Sequence, residues 1–221
     1  MPAAVRNLAS FVLCLALGVL ASPAAGLPII SELFYDAVGS DNGHSFVELY
    51  GAPGASLEGF TLEGVNGANG SLGPIVALSG VIPGDGLFVV ADDLGDGSTL
   101  VPGADLLRNF DFQNGPDSVL LRFEGSVVDA VGYGAFAPEE VFAGEGLPAL
   151  DAPAGSSLAR YFADFDSDDN QSDFAVQGAP TPGSAALSVP EPAGHWLMAL
   201  GLGGLACASR RRARAARELG S

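Results

Sequence analysis

The chain contains no lysine, and its two cysteines, Cys14 and Cys207, both lie near its ends. The long stretch between them therefore has no disulfide to staple it and no thiol to act as a nucleophile. Residues 27–188 hold a single histidine, His44, which restricts general-base chemistry there to one imidazole and the carboxylates. Positive charge is almost as scarce. Residues 27–188 hold 24 acids against three arginines, Arg108, Arg122 and Arg160, a net of −21. A field of that sign repels phosphate backbones and anionic headgroups, because binding either one needs a basic patch that releases counterions. Nucleic acid is not an expected partner; calcium, cationic surfaces and calcium-bridged polymers remain compatible with the charge.

Long amphipathic helical patterns are also missing from residues 27–177. In their place stand short segments rich in branched and aromatic residues: PIISELFY, HSFVELY, LEGFTLEG, PIVALSG, GLFVVAD, DSVLLRFEG, SVVDAVGYG, SSLARYF and DFAVQ. Glycine, proline, asparagine and aspartate punctuate them, as expected of strands joined by turns. Val119, Leu121 and Phe123 alternate with Ser118, Leu120 and Arg122, and Phe60 and Leu62 alternate with Thr61 and Glu63, so these strands each have an inner face. FEGS, at 123–126, reads as a hairpin turn with Gly125 supplying a positive φ. Seven to nine strands in about 150 residues point to an all-β fold, an antiparallel β-sandwich over residues 27–178.

The two ends differ from this body. Residues 1–26 carry Arg6, an apolar core from Phe11 to Ala21, and small residues at Ser22, Ala24 and Ala25, the three parts of a signal peptide. Residues 179–188 have the proline, alanine and serine composition of a linker. Beyond them, 193–209 is an uncharged run that as a helix would span about 25 Å, the lower edge of a transmembrane helix. Trp196 suits its outer interface, and Arg210, Arg211, Arg212, Arg214 and Arg217 would hold the carboxyl end in the cytoplasm.

The order VPEP, apolar span, RRRAR over 189–214 resembles the sorting signal of PEP-CTERM proteins of Gram-negative bacteria. The resemblance implies a precursor anchored in the inner membrane and then processed by an exosortase, a membrane-embedded protease or transpeptidase, for the cell surface or extracellular matrix. Pro190, Glu191 and Pro192 are the motif. The two prolines keep Glu191 in an extended backbone that a protease cleft can bind without unfolding a regular element. From about Ile29 to Gly183, the ordered blocks IISELFYD, FVELYG, LEGFTLEG, GVIPGDGLFVVAD, NGPDSVLLR, VVDAVGYG and GSSLARYFADFDSDDNQSDF are similar to the bacterial lamin tail domain. That resemblance implies an immunoglobulin-like sandwich that recognises or scaffolds and carries no active site of its own. Gly51 and Phe60 depart from the asparagine and tryptophan frequent at those places in the family.

Three groups of residues are candidates for chemistry. His44 lies near Asp41 and Ser45, without a nucleophile-elbow pattern around them. Glu32 and Glu48 interrupt apolar strands, and would serve either as the paired carboxylates of a secreted hydrolase acting on glycosides or as caps for backbone N–H groups at a sheet edge. The run DFDSDDNQSD offers Asp164, Asp166, Asp168 and Asn170 as calcium ligands, since alternate acids put oxygens on one side of a loop. It is not a helix-loop-helix calcium loop: counting from Asp164, position 6 is Asp169 and position 12 is Ala175. The expected function is noncatalytic: a structural or adhesive surface protein without a cofactor, or alternatively a calcium-dependent binding module. Signal peptidase and an exosortase would process it, and extracellular polysaccharide or envelope proteins would be its neighbours.

Overall fold

Turn-forming residues divide the chain so finely that, among the described residues, no regular element exceeds eight residues. A computed structural model describes residues 26–188. Most of the expected signal peptide, the Pro190, Glu191 and Pro192 motif and the expected span 193–209 lie outside the described residues. Among the described residues, no helix is long and apolar enough to cross a membrane.

The strands are β1 (Ile29–Phe34), β2 (Phe46–Tyr50), β3 (Phe60–Asn66), β4 (Leu72–Ala77) and β5 (Leu87–Asp92), followed by β6 (Leu106–Arg108), β7 (Asp117–Phe123), β8 (Ser126–Tyr133), β9 (Ser157–Arg160) and β10 (Phe174–Gln177). One helical turn, α1 (Asn170–Asp173), precedes β10. They form a six-stranded sheet in the order β10-β9-β1-β2-β5-β6 and a four-stranded sheet in the order β4-β3-β7-β8. Neighbours run antiparallel except β5 and β6. The two sheets make the all-β, two-layer architecture expected from the alternation.

The core is formed by the inner faces of both sheets. Phe60, Leu62, Val119 and Leu121 meet Leu33, Val47, Leu49, Val90 and Leu158 in one buried cluster. Tyr35 and Tyr133 stack across it at 4.2 Å between ring centroids. Their hydroxyls are satisfied: Tyr35 donates to Asp151 Oδ1, and Tyr133 donates to the Gln113 carbonyl. At the β7–β8 turn, Glu124 as well as Gly125 has a positive φ (48° and 82°), the pair of left-handed residues that a two-residue hairpin requires.

Strand β1 carries the feature that positions the candidate site. A bulge between Ile30 and Glu32 breaks its register with β2. The extra residue lets Ser31 and Glu32 both reach partners on the outer side, while Ile30 and Leu33 remain in the core. Residues 181–188, within the segment 179–188 whose composition suggests a linker, make hydrogen bonds to the sandwich. From Thr181 to Ser188 the chain is hydrogen-bonded to the body as a strap over the outer face of the large sheet. A free linker would leave Glu32 and Glu48 without these partners.

Candidate functional site

Glu32 and Glu48 face each other directly across the β1–β2 ladder and are 2% and 0% exposed. Glu32 Oε1 accepts from Ser157 Oγ and from the Thr181 amide (2.9 Å), and its Oε2 accepts from Thr181 Oγ1 (2.9 Å). Glu48 Oε1 accepts from Ser31 Oγ (2.8 Å) and its Oε2 from the Gly183 amide (2.7 Å). All four carboxyl oxygens are thus engaged, two of the donors being backbone amides of the strap. Burial pushes the Glu48 carboxyl up to about 7, with the neighbouring charge of Glu32 acting the same way and the Ser31 and Gly183 hydrogen bonds holding it back.

Both carboxylates line a cavity of about 510 Å³, together with Ser31, Tyr161, Gln177 and Ser184. A hydrolytic pair must flank a scissile bond and reach its reacting atoms. Here both carboxyls stand side by side on one sheet face, and their oxygens are committed to the protein's own donors. The arrangement fastens a chain segment. His44 is exposed and meets Asp41 only through a backbone bond, its amide donating to the Asp41 carbonyl, while Asp41 Oδ1 accepts from the Ala37 amide.

The acidic run was the expected calcium site, and its four residues do not converge. Asp164 accepts from the Ser188 amide and hydroxyl. Asp166 pairs with Arg160 at 3.1 Å, and exposed Asp168 takes a left-handed turn conformation (φ 57°). Asn170 is buried; its Oδ1 accepts from the Gly132 and Glu145 amides, and its Nδ2 donates to the Ala130 carbonyl. Its ligating oxygen is therefore already filled, and the set does not fit a calcium cage.

The cation at the centre of this region is Arg160. It lies on β9 two residues after inward-facing Leu158, and strand parity turns it inward too. Its guanidinium donates to Asp129 Oδ1 (3.0 Å), Asp173 Oδ2 (2.9 Å), Asp166 Oδ1 (3.1 Å) and the Ile30 carbonyl (2.7 Å). It also lies 4.6 Å from the centroid of the Phe174 ring. Asp173 is held below the usual carboxylate range: burial opposes ionisation, but hydrogen bonds from Ser167 and the charge of Arg160 outweigh it. Glu145 approaches Asp129 and Asp166 closely enough for one oxygen of each to lie within 4.8 Å of the others. Its Oε2 is enclosed without a hydrogen-bond partner, and burial, then the charges of Asp129 and Asp166, push it up to about 8. The acids thus surround a guanidinium supplied by the chain itself. The sequence reading missed Arg160, Asp129 and Glu145, although the parity of Leu158 and Arg160 was a signal for the first.

Residues 188–213 match the family model of the PEP-CTERM protein-sorting motif. The motif marks the chain as exported, held as a membrane-anchored precursor and sorted by an exosortase for the cell surface. No curated protein matches the chain.

Proposed function

We propose that the body is a noncatalytic structural or adhesive module of the cell surface or extracellular matrix, related to lamin tail domains, delivered by its signal peptide and released or attached by exosortase processing. The observation that carries this reading is the sorting motif at 188–213, whose first residue, Ser188, is hydrogen-bonded to the body. Two sheets in sandwich arrangement support the lamin-tail likeness. The use of Glu32 and Glu48 as fasteners supports a body without hydrolytic function, and Arg160 serves as the cation of the acidic region in place of calcium.

Intact-mass measurement tests the sorting claim. Protein recovered from the surface or medium of cells containing the processing enzyme is expected to end near Pro190 to Pro192. Recovery of exported chains that retain the arginine-rich tail would overturn it.

A further inference from the structure

Ser188, the first residue of the matched sorting motif, is hydrogen-bonded to the body. Ser188 donates its amide to Asp164 Oδ1 and its hydroxyl to Asp164 Oδ2, both at 2.6 Å. Two residues earlier the Ala186 carbonyl accepts from the Ala163 amide at 2.8 Å. Asp164 is itself well anchored, since it sits between β9 and the loop whose Phe165 carbonyl and Asp166 carboxylate bind Arg160. Its carboxyl is held below the usual range: burial opposes ionisation, but the two Ser188 bonds outweigh it. Pro190 is two residues beyond this clamp, at most about 7 Å of extended chain.

Proteins that capture a peptide as an extended strand pair with its backbone N–H and C=O groups. In this motif Pro190 and Pro192 have no N–H to offer, so the donors just upstream of Glu191 must come from Val189 and Ser188. The Ser188 amide and the Ala186 carbonyl are already committed to the body. An enzyme can take them only after the clamp opens.

We propose that Asp164 is a positioning residue for sorting, one that withholds the motif from the processing enzyme while it grips Ser188 and delivers it when residues 186–188 open locally. The proposal rests on the reading of 188–213 as an exosortase signal. Asp164 lies outside the matched motif, so changing it alters the clamp and leaves the recognised sequence intact. Where opening is fast relative to cleavage, processing follows the open population, and loss of two hydrogen bonds to a carboxylate raises that population about tenfold or more.

The test is pulse–chase of the full-length precursor in cells with the processing enzyme, comparing wild type, Asp164→Asn and Asp164→Ala. Asn keeps one acceptor for Ser188 and Ala keeps none. The expected result is faster shortening in both, about tenfold for Ala and less for Asn. A core variant, Leu121→Ala, lowers the melting temperature with the clamp in place and is expected to be shortened at the wild-type rate. Equal or slower shortening of Asp164→Ala would overturn the clamp while the sorting reading stands, and so would acceleration of Leu121→Ala to the same extent. Failure of every chain, wild type included, to shorten would overturn the sorting reading and the clamp with it.

Discussion

Glu48 is fully buried beside a second carboxylate, and its environment sets a direction for the stability of the whole body. In the unfolded chain it ionises near 4.5, whereas in the fold burial holds the proton on to about 7. Between those values the folded state binds more protons than the unfolded one, so stability falls as pH rises through the window and levels off above it. Glu145 extends the same slope to about 8. Asp164 and Asp173 act oppositely: their stabilisation is present above the unfolded value of 3.8 and is lost as pH falls through their depressed folded values. The melting temperature is therefore expected to be higher at pH 5 than at pH 8.5. Glu48→Gln fits the same partners, its amide oxygen accepting from Gly183 and its NH₂ donating to Ser31 Oγ, and is expected to flatten the slope between 4.5 and 7. Thermal melts of both proteins across pH read this directly; an unchanged slope in the variant would assign the dependence to other groups.

At the scale of elements, Arg160 joins β9 to β8 through Asp129, to α1 through Asp173 and to β1 through the Ile30 carbonyl. Replacing it with Met would leave Asp129 and Asp173, 0% and 1% exposed at their side chains, without their cation. Breaking such a pair costs about 3–5 kcal/mol, expected as a drop in melting temperature of roughly 10 °C. A drop of only a degree or two would mean that the carboxyls simply take up protons. Nine of the strands were legible because alternation and turn residues outlined them, as in Val119 and Leu121 between the turns at 115 and 125. The three-residue β6 was not, being too short to show a period. The faces of β1 were hidden as well, because its bulge cancels the two-residue rule at Ser31 and Glu32. Glu32 and Glu48 stood out as acids in apolar strands, yet their partners Thr181 and Gly183 are 149 and 135 residues away in sequence. The acidic run was likewise found, but its partner Arg160 was not, because that arginine lies inward on β9.

Over the whole molecule, the three arginines of the described body are all tied into the fold. Arg108 binds the Ala77 carbonyl and Ser79, Arg122 pairs with Glu63 at 2.7 Å, and Arg160 is buried. Six of the 24 acids, Glu32, Glu48, Asp92, Asp117, Asp129 and Asp173, are buried; the others face solvent wholly or in part with little basic surface among them, a field that favours polymers that are neutral, cationic or bridged by cations. The remaining basic residues lie at the two ends, on segments that the sorting reading assigns to the precursor alone. Such a molecule carries its address next to its fold, and the strap fastened by Glu32, Glu48 and Asp164 is the junction between them. Amide hydrogen exchange on the exported protein tests that junction most directly. The account predicts that the amides of Thr181 and Gly183 are protected, and that Gly183 loses protection when Glu48 is replaced by Ala. Exchange across 181–188 at the rate of a free chain, with β1 and β2 still protected, would contradict it.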